Sequence, residues 1–583
     1  VEGAASFPLG DSVAVRLSGK TNQGGGFQDS LATPGDDNFG DRDFWGVRGQ
    51  ILIAPSDTAE FNLKVEVGED NSETLLARGT GSVDVATGGL CAPVLAGQLD
   101  ETQCLSFANA NNVLALGNPL GLVPADQSND GRTVLTNPIN QLDNDWLGIT
   151  FKGDIDLGFA TLTSVTGYLD FTNNQIFDFD ATQLILFHED GRANIESWSQ
   201  EIYLTSADDG PFTWLLGATY AEDTINEERF GSIDDNPLVG LPANFRRSFV
   251  QETEAWAVYA QAGVELGEKV NLNGSIRYTE EDKELINYTL DFPSIGFALL
   301  PPTNQSYSLG ANVTGHIGLD FKPNDDTLFY LKATRAYKSG GFFGGFAITP
   351  DELAPFSEET VWAFEGGWKI DVPDAGLRFN GSIFYYDYQD VQGNTQEVGA
   401  ITGTVLTKLG NLGDARHLGV ELDILWEPNP IPGLSLEASA TLLEAEIVDS
   451  TTTITSQEGN VLPLEGRDRI NAPEFAVTAA VGYQWDFSDD ITGSARLSYN
   501  YRSDFSGTLS PGADSALFRQ PSYGLLNGTI TLGQIDKGWR VALIGKNLTD
   551  EAFITRSAGD NLGSFRSLFG RPREFAIQLG FDW

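Results

Sequence analysis

Three histidines, two cysteines and one Gly-rich run mark the places where this sequence could hold chemistry. His188, His316 and His417 would form a metal centre or a proton relay only if other ligands converged on them. None stands in a metal-ligand spacing or beside a nucleophile motif, so all three read as ordinary wall or loop residues. The Ser339-Gly340-Gly341 run lacks the Lys-Ser/Thr ending and the strand-to-helix setting of a phosphate loop, and reads as a flexible loop entry. Cys91 and Cys104 share one Gly- and Asn-rich segment and could close a small disulfide loop in an oxidising compartment. A metal-bound pair fits less well, because no His or second Cys pair stands near. The acidic doublets at Asp36-Asp37, Asp208-Asp209, Asp234-Asp235 and Asp325-Asp326 lack calcium-loop spacing and read as solvated. No catalytic constellation emerges, so neither an enzyme, a metal site nor a cofactor is expected.

The elements that must position any site are strands. At 583 residues the chain exceeds one ordinary core, which calls for several domains or a repetitive sheet. No apolar run approaches the roughly 20 residues of a membrane helix. Period-two alternation instead recurs over 212–220, 270–281, 359–369, 377–386, 434–442, 491–502 and 574–583. In 270–281, Val270, Leu272, Gly274, Ile276 and Tyr278 share one face, and Asn271, Asn273, Ser275, Arg277, Thr279 and Glu281 share the other. One face is apolar and aromatic, the other charged. The formal charge of −47, with only 35 Lys and Arg, excludes a nucleic-acid partner, which would require clustered cations; acidic surface loops account for it.

The connections define the sheet. Short turns rich in Pro, Asp, Asn and Gly fall near 7–11, 54–58, 155–158, 206–211, 265–269, 322–326, 371–376, 427–433, 486–490 and 533–538. Long polar connections alternate with them, near 21–42, 71–144, 172–194, 223–251, 282–306, 338–357, 391–414, 448–473, 503–522 and 548–572. That parity is the pattern of an outer-membrane barrel, with brief periplasmic turns and extended extracellular loops. The fold class is therefore all-β: a transmembrane antiparallel up-and-down β-barrel filling residues 1–583, with its largest extracellular loops near 71–144, 223–251, 338–357 and 448–473. Twenty connections join 21 strands, and single-chain bacterial barrels have an even number, so the expected barrel has 22 strands with the first one upstream of Val1. A lumen of that width needs a plug, which would also lie upstream. The missing initiator Met fits a processed or truncated chain; the absence of internal Met has no physical account. Trp214, Trp426, Trp485, Trp539 and Trp583 fall at strand ends beside short turns, as a periplasmic aromatic girdle would.

Three stretches carry a family resemblance. Arg335-Ala-Tyr-Lys-Ser-Gly-Gly-Phe342, Gly545-Lys-Asn-Leu-Thr-Asp550 and Gly570-Arg-Pro-Arg-Glu-Phe575 are similar to the mid-barrel, penultimate-turn and closing-strand motifs of TonB-dependent receptors. Residues 1–19 resemble the second and third barrel strands of that family. The resemblance implies an outer-membrane active transporter of a Gram-negative bacterium, with loops extracellular and the C-terminus periplasmic. It would take up a scarce solute such as a siderophore–iron complex, a vitamin or an oligosaccharide. It also implies an upstream plug through which the TonB energy-coupling complex acts; no energy-coupling box stands in this sequence. Solute contacts would come from Tyr337, Lys338, Phe342, Phe343 and Phe346, unless these aromatics form the outer girdle or pack the loop against its neighbours.

By alternation Glu365, Lys369, Arg378, Arg496 and Arg502 face the lumen. They either line a solute path or bridge one another; a charge on the lipid face would cost about 2–4 kcal/mol. Phe581 and Trp583 resemble the terminal signal read by the barrel-assembly machinery, and outer-membrane lipid and lipopolysaccharide would surround the wall. Two other functions fit the same wall: a passive channel, and a surface adhesin or scaffold that uses the barrel as an anchor.

Overall fold

Alternation of apolar and polar side chains at period two makes each wall element a strand with one face for lipid and one for the lumen. The structure, a computed structural model, describes residues 1–33, 39–81, 83–84, 104–105, 128–137, 141–179, 181, 188–207, 210–232, 244–398, 405–455, 461–509, 518–534, 538–559 and 564–582. Among these residues one antiparallel sheet of 22 strands forms the wall. Its strands are β1 Glu2–Pro8, β2 Val13–Gly24, β3 Arg42–Ser56, β4 Ala59–Asp70, β5 Gln141–Asp156, β6 Ala160–Asp178, β7 His188–Ser206 and β8 Phe212–Ser232. There follow β9 Phe245–Glu265, β10 Val270–Phe292, β11 Phe297–Ser308, β12 Asn312–Asn324, β13 Thr327–Lys338, β14 Glu359–Val372 and β15 Leu377–Gln389. The wall ends with β16 Asp414–Trp426, β17 Leu434–Asp449, β18 Phe475–Ser488, β19 Ile491–Arg502, β20 Tyr523–Gly533, β21 Gly538–Lys546 and β22 Glu574–Asp582.

Neighbours in sequence are neighbours in the wall, with one irregularity. The lower half of β10 pairs with β12 (Val270 opposite Phe321), and its upper half pairs with β11 (Asp282 opposite Ser308). β11 and β12 are thus one wall position broken at 309–311, where Gly310 takes a φ of 63° that favours glycine. Counting them together recovers the 21 strands expected from the alternation of turns. The outer edges of β1 and β22 are unpaired among the described residues, and both strands run from the long-loop rim to the short-turn rim. Antiparallel order therefore leaves room between them for one strand of opposite direction. On β22 Phe575, Ile577, Leu579 and Phe581 are each at least 67% exposed, because no neighbour covers that edge.

The outward face carries the apolar band: Val47, Ile51, Ile202, Leu216, Val258, Ile276, Ile317, Leu331, Ile383 and Leu543 are all exposed. Near the short turns Trp426 lies outward and donates its indole N–H to Ala375 O at 3.1 Å. Toward the long loops a second belt follows the register: Trp198 packs on Tyr220 at 5.8 Å and Trp256 on Tyr278 at 5.5 Å. Just beyond this belt Glu222, Glu254 and Asp282 stand directly opposite one another on three strands. Like charges in that position cost about 0.2–1 kcal/mol per pair, which is tolerable where water screens them. Part of the acidity expected in loops is thus carried by strands.

Two of the expected long connections are in fact strand. Residues 282–306 form a hairpin turned at Pro293–Ile295, and the 223–251 region continues as β8 to Ser232 and resumes as β9 at Phe245. These strands run 21 to 23 residues, about twice what a bilayer needs. Outside lipid the outward face turns polar, so the apolar–polar contrast that marks a strand in sequence fades.

On the long-loop rim the last connection reaches across the gap between β22 and β1. Ser564–Phe569 pairs antiparallel with Arg78–Gly81, Arg42 bridges Glu574 at 3.3 Å, and Arg571 donates to Gly40 O at 2.7 Å. Asp550 accepts from the Arg132 guanidinium at 2.5 Å and from the Arg573 backbone N–H at 2.9 Å. These donors hold its carboxyl down at about 2. A depressed carboxylate stabilises the fold above its unfolded value and loses that contribution as pH falls through the folded one. Proteolytic nicking of 551–572 is therefore expected to stay constant from neutral pH down to about pH 4 and to rise toward pH 2; Asp550→Asn would raise it at neutral pH, with the difference from the parent vanishing toward about pH 2. Leu331→Arg, on the lipid face, should destabilise the wall by about 2–4 kcal/mol, whereas Thr334→Arg on the lumen face should stay within about 0.5 kcal/mol, both read by denaturant unfolding in lipid vesicles.

Candidate functional site

A core outside the bilayer organises the long-loop mouth. Phe245 and Phe249 of β9, Leu285, Tyr288 and Leu290 of β10, Leu300 of β11, and Phe342, Ala347, Ile348 and Leu353 of the 339–358 connection bury one another. Strict alternation would put Leu285 and Tyr288 on opposite faces of β10. A register shift between them, with Asn287 at a φ of 54°, turns both into the same core. The Tyr288 hydroxyl donates to Gly345 O at 2.6 Å and accepts from Ala347 N–H at 3.0 Å, and burial pushes its ionisation up to about 12. Tyr307 repeats the device, donating to Glu358 at 3.2 Å and accepting from Gly340 N–H at 3.3 Å. Lys283 donates to Gly340 O at 2.8 Å.

This core divides the aromatic set expected to meet a solute. Phe342 is buried within it, and Phe346 packs edge-on against Phe245 at 5.5 Å. Both serve the packing of the connection, because a ring enclosed by its own fold offers no face to a ligand. Phe343 is half-buried over Gly345, Tyr337 is half-buried beside Thr279, and Lys338 is exposed at the end of β13.

Of the five residues expected to face the lumen, three pair with other residues rather than with one another. Glu365 accepts from the Tyr330 hydroxyl at 2.5 Å, and Arg378 bridges Asp371 at 2.7 Å near a short turn. Arg496 grips Glu437 of β17 with both guanidinium nitrogens, the second at 2.6 Å. Lys369 and Arg502 are exposed. Cys91, the side chain of Cys104, and Trp583 lie outside the described residues. Among the described residues no group of three or more His, Cys, Asp or Glu could hold a metal ion. His188 sits 3.8 Å from Asp178, and the His316 Nδ1 shares a 2.7 Å hydrogen bond with Ser275.

The third histidine belongs to a constellation that sequence reasoning missed. On the lumen face of β15, Phe384, Tyr386 and Tyr388 stand at i, i+2 and i+4, with rings 4.9 and 6.4 Å apart. His417 of β16 closes the ladder at 4.7 Å from Tyr388. Its Nε2 is buried with no hydrogen-bond partner. Burial pushes the Arg469 ionisation down against the opposing charge of Glu359; Glu359 accepts from Gln392 N–H at 2.6 Å. The ladder offers flat faces for stacking, and a cation and an anion for orientation. The signal was available as Phe384-Tyr-Tyr-Asp-Tyr388, whose inward positions are all aromatic on a face that elsewhere carries charge.

A sheet of this size, apolar outside and polar inside with long connections at one rim, is the wall of a large transmembrane β-barrel. The chain belongs to the TonB dependent receptor-like, beta-barrel family, whose model matches residues 97–548. Among solved structures it resembles the ferric yersiniabactin uptake receptor FyuA from Yersinia pestis, at 15% identity and a TM-score of 0.75, covering 100% of this chain and 77% of that one. It also resembles the siderophore receptor PiuA from Acinetobacter baumannii, at 16% identity and 0.72, covering 100% and 79%. The ferric-catecholate import receptor Fiu from K12 E. coli follows at 16% and 0.65, covering 99% and 78%. At such identities the likeness carries the fold. No curated protein matches the sequence.

Tyr288→Phe should cost about 1–3 kcal/mol of local stability by leaving the Gly345 carbonyl and Ala347 N–H without their partner. Hydrogen exchange should quicken over 339–358 and stay unchanged in β18–β21.

Proposed function

We propose that this chain is the wall of an outer-membrane TonB-dependent active transporter for iron–siderophore complexes, with the long-loop rim outside the cell and the C-terminus in the periplasm. The observation that carries this reading is the wall itself: 21 strand positions, from 22 segments of which two share one place, and two parallel edges that call for one strand more. A barrel of 22 positions encloses a lumen that is plugged in transporters, whereas open porins have about 16–18 strands. The missing strand and a plug upstream of Val1 in the same polypeptide complete the barrier, and the plug takes the pull of the TonB complex. The solute class is supported by the resemblance to FyuA, a ferric yersiniabactin uptake receptor, and to PiuA, a siderophore receptor.

Solute entering past the 339–358 connection meets Tyr386, Tyr388, His417 and Arg469 on the lumen wall, with Tyr337, Lys338 and Phe343 at the mouth. Outer-membrane lipid and lipopolysaccharide surround the apolar band, and Phe581 and Trp583 serve recognition by the assembly machinery. The test is uptake of radiolabelled ferric siderophores by an iron-starved host that expresses the full-length gene and lacks its own receptors. Uptake that stops on loss of TonB supports the reading; steady ion conductance of the full-length protein in planar bilayers, or uptake indifferent to TonB, overturns it. Tyr388→Ala and Arg469→Gln should each weaken solute binding to whole cells by about 2–10-fold, the equivalent of about 0.5–1.5 kcal/mol, without lowering the amount of folded barrel.

A further inference from the structure

The lipid-facing side of the wall is not uniformly convex. Between β18 and β22 an apolar groove of about 410 Å³ opens on the outward face. Its floor is open at Gly528, which faces Gly545 directly across β20 and β21; over Gly545 the Leu548 side chain and the Phe575 ring close in, 2.6 and 3.3 Å from where a Cβ would stand. Leu497 and Phe575 stand among its lining residues, and Leu548 lines it on the long-loop side. A Cβ on Gly528 would meet the ends of Leu548 and Leu497 at 3.3 and 3.5 Å and the Arg496 carbonyl oxygen at 3.8 Å, so the space is the room that the missing side chain leaves between them. At the roughly 30 Å³ that a water-sized group occupies, the groove has room for about a dozen chain carbons.

A cation stands at its long-loop end. Arg573, just ahead of β22 and two residues before Phe575, donates to the Leu548 carbonyl at 3.3 Å. Its other contact, to Asp550, is long at 3.8 Å, and its side chain remains 46% exposed. Asp550 is already held by Arg132 and by the Arg573 backbone N–H, so the Arg573 guanidinium keeps donors to spare. An apolar groove on the outward face, with a loosely held cation at its long-loop end, matches a chain joined to a phosphate.

We propose that this groove is a binding site for one phosphorylated lipid, with an acyl chain lying over Gly528 between Leu497 and Leu548 and the phosphate against Arg573. The occupant is held by shape along the chain and by charge at the head. Neither the lumen nor the plug takes part, so the site is independent of the transport reading and requires only that the outward face lie in a membrane.

The test uses the full-length protein in dodecylmaltoside, to which phosphatidylglycerol or phosphatidylcholine is added, with retained lipid counted by native mass spectrometry. One phosphatidylglycerol should be retained, about tenfold more tightly than phosphatidylcholine. Gly528→Leu and Ala495→Trp, which fill the groove from two strands, should abolish retention of both lipids. Arg573→Gln should leave chain retention but remove the preference between headgroups. Circular dichroism and heat-modified mobility check the barrel in each variant; Ala495→Trp adds only apolar bulk on the lipid face and gives the reading if Gly528→Leu fails to fold. Unchanged retention in Ala495→Trp overturns the site, and an unchanged headgroup preference in Arg573→Gln overturns the role given to the cation.

Discussion

Within hydrocarbon a backbone N–H or C=O without a partner costs several kcal/mol, and a sheet meets that demand only by having no open edge. Strands must alternate in direction, so turns and long connections must alternate too, and the wall must return to its start. The broken position shared by β11 and β12 respects this rule, since each half satisfies a different half of β10. The edges of β1 and β22 fall outside it, and both run the same way. At the rim that gap is spanned by the Ser564–Phe569 ladder on Arg78–Gly81 and by the Arg42, Arg132 and Arg571 contacts. Polar links can do this because they stand beyond the depth where only ladder pairing would serve.

The same boundary explains why the molecule has its core where it does. A barrel wall has no packed interior of its own, since one face meets lipid and the other meets the lumen. The enclosed apolar cluster of Phe249, Leu285, Tyr288 and Leu353 therefore lies in the strand extensions above the membrane, where water drives burial. It fixes the 339–358 connection through tyrosine hydroxyls, each of which both donates and accepts. The connection proposed to meet a solute is thus anchored by a core, and recognition there would fall to side chains that the core leaves free.

Charge follows the same division. On the lumen wall carboxylates and guanidiniums pair, as in Arg496 with Glu437, Arg378 with Asp371, and Arg48 with Glu66. Acids also stand outward beyond the aromatic belt, in the row of Glu222, Glu254 and Asp282, while Asp223, Glu201 and Asp320 of the lumen wall are held by Ser197, Tyr259 and Asn273 rather than by cations.

Period two in 270–281, the parity of short and long connections, and the girdle tryptophans were enough to reach an antiparallel barrel with an odd number of strand positions. They suffice because lipid on one face and water on the other impose a contrast that each strand repeats by itself. That contrast disappears beyond the membrane, so the extensions of β8 to β11 read as loops. The lumen positions of Glu365, Arg378 and Arg496 followed from alternation, but their partners Tyr330, Asp371 and Glu437 did not, because pairing depends on register. Register likewise put Phe342 into a core and brought His417 onto Tyr388, joining residues from separate strands. What each side chain faces is a local property of the chain; what it touches is set by the closure of the whole wall.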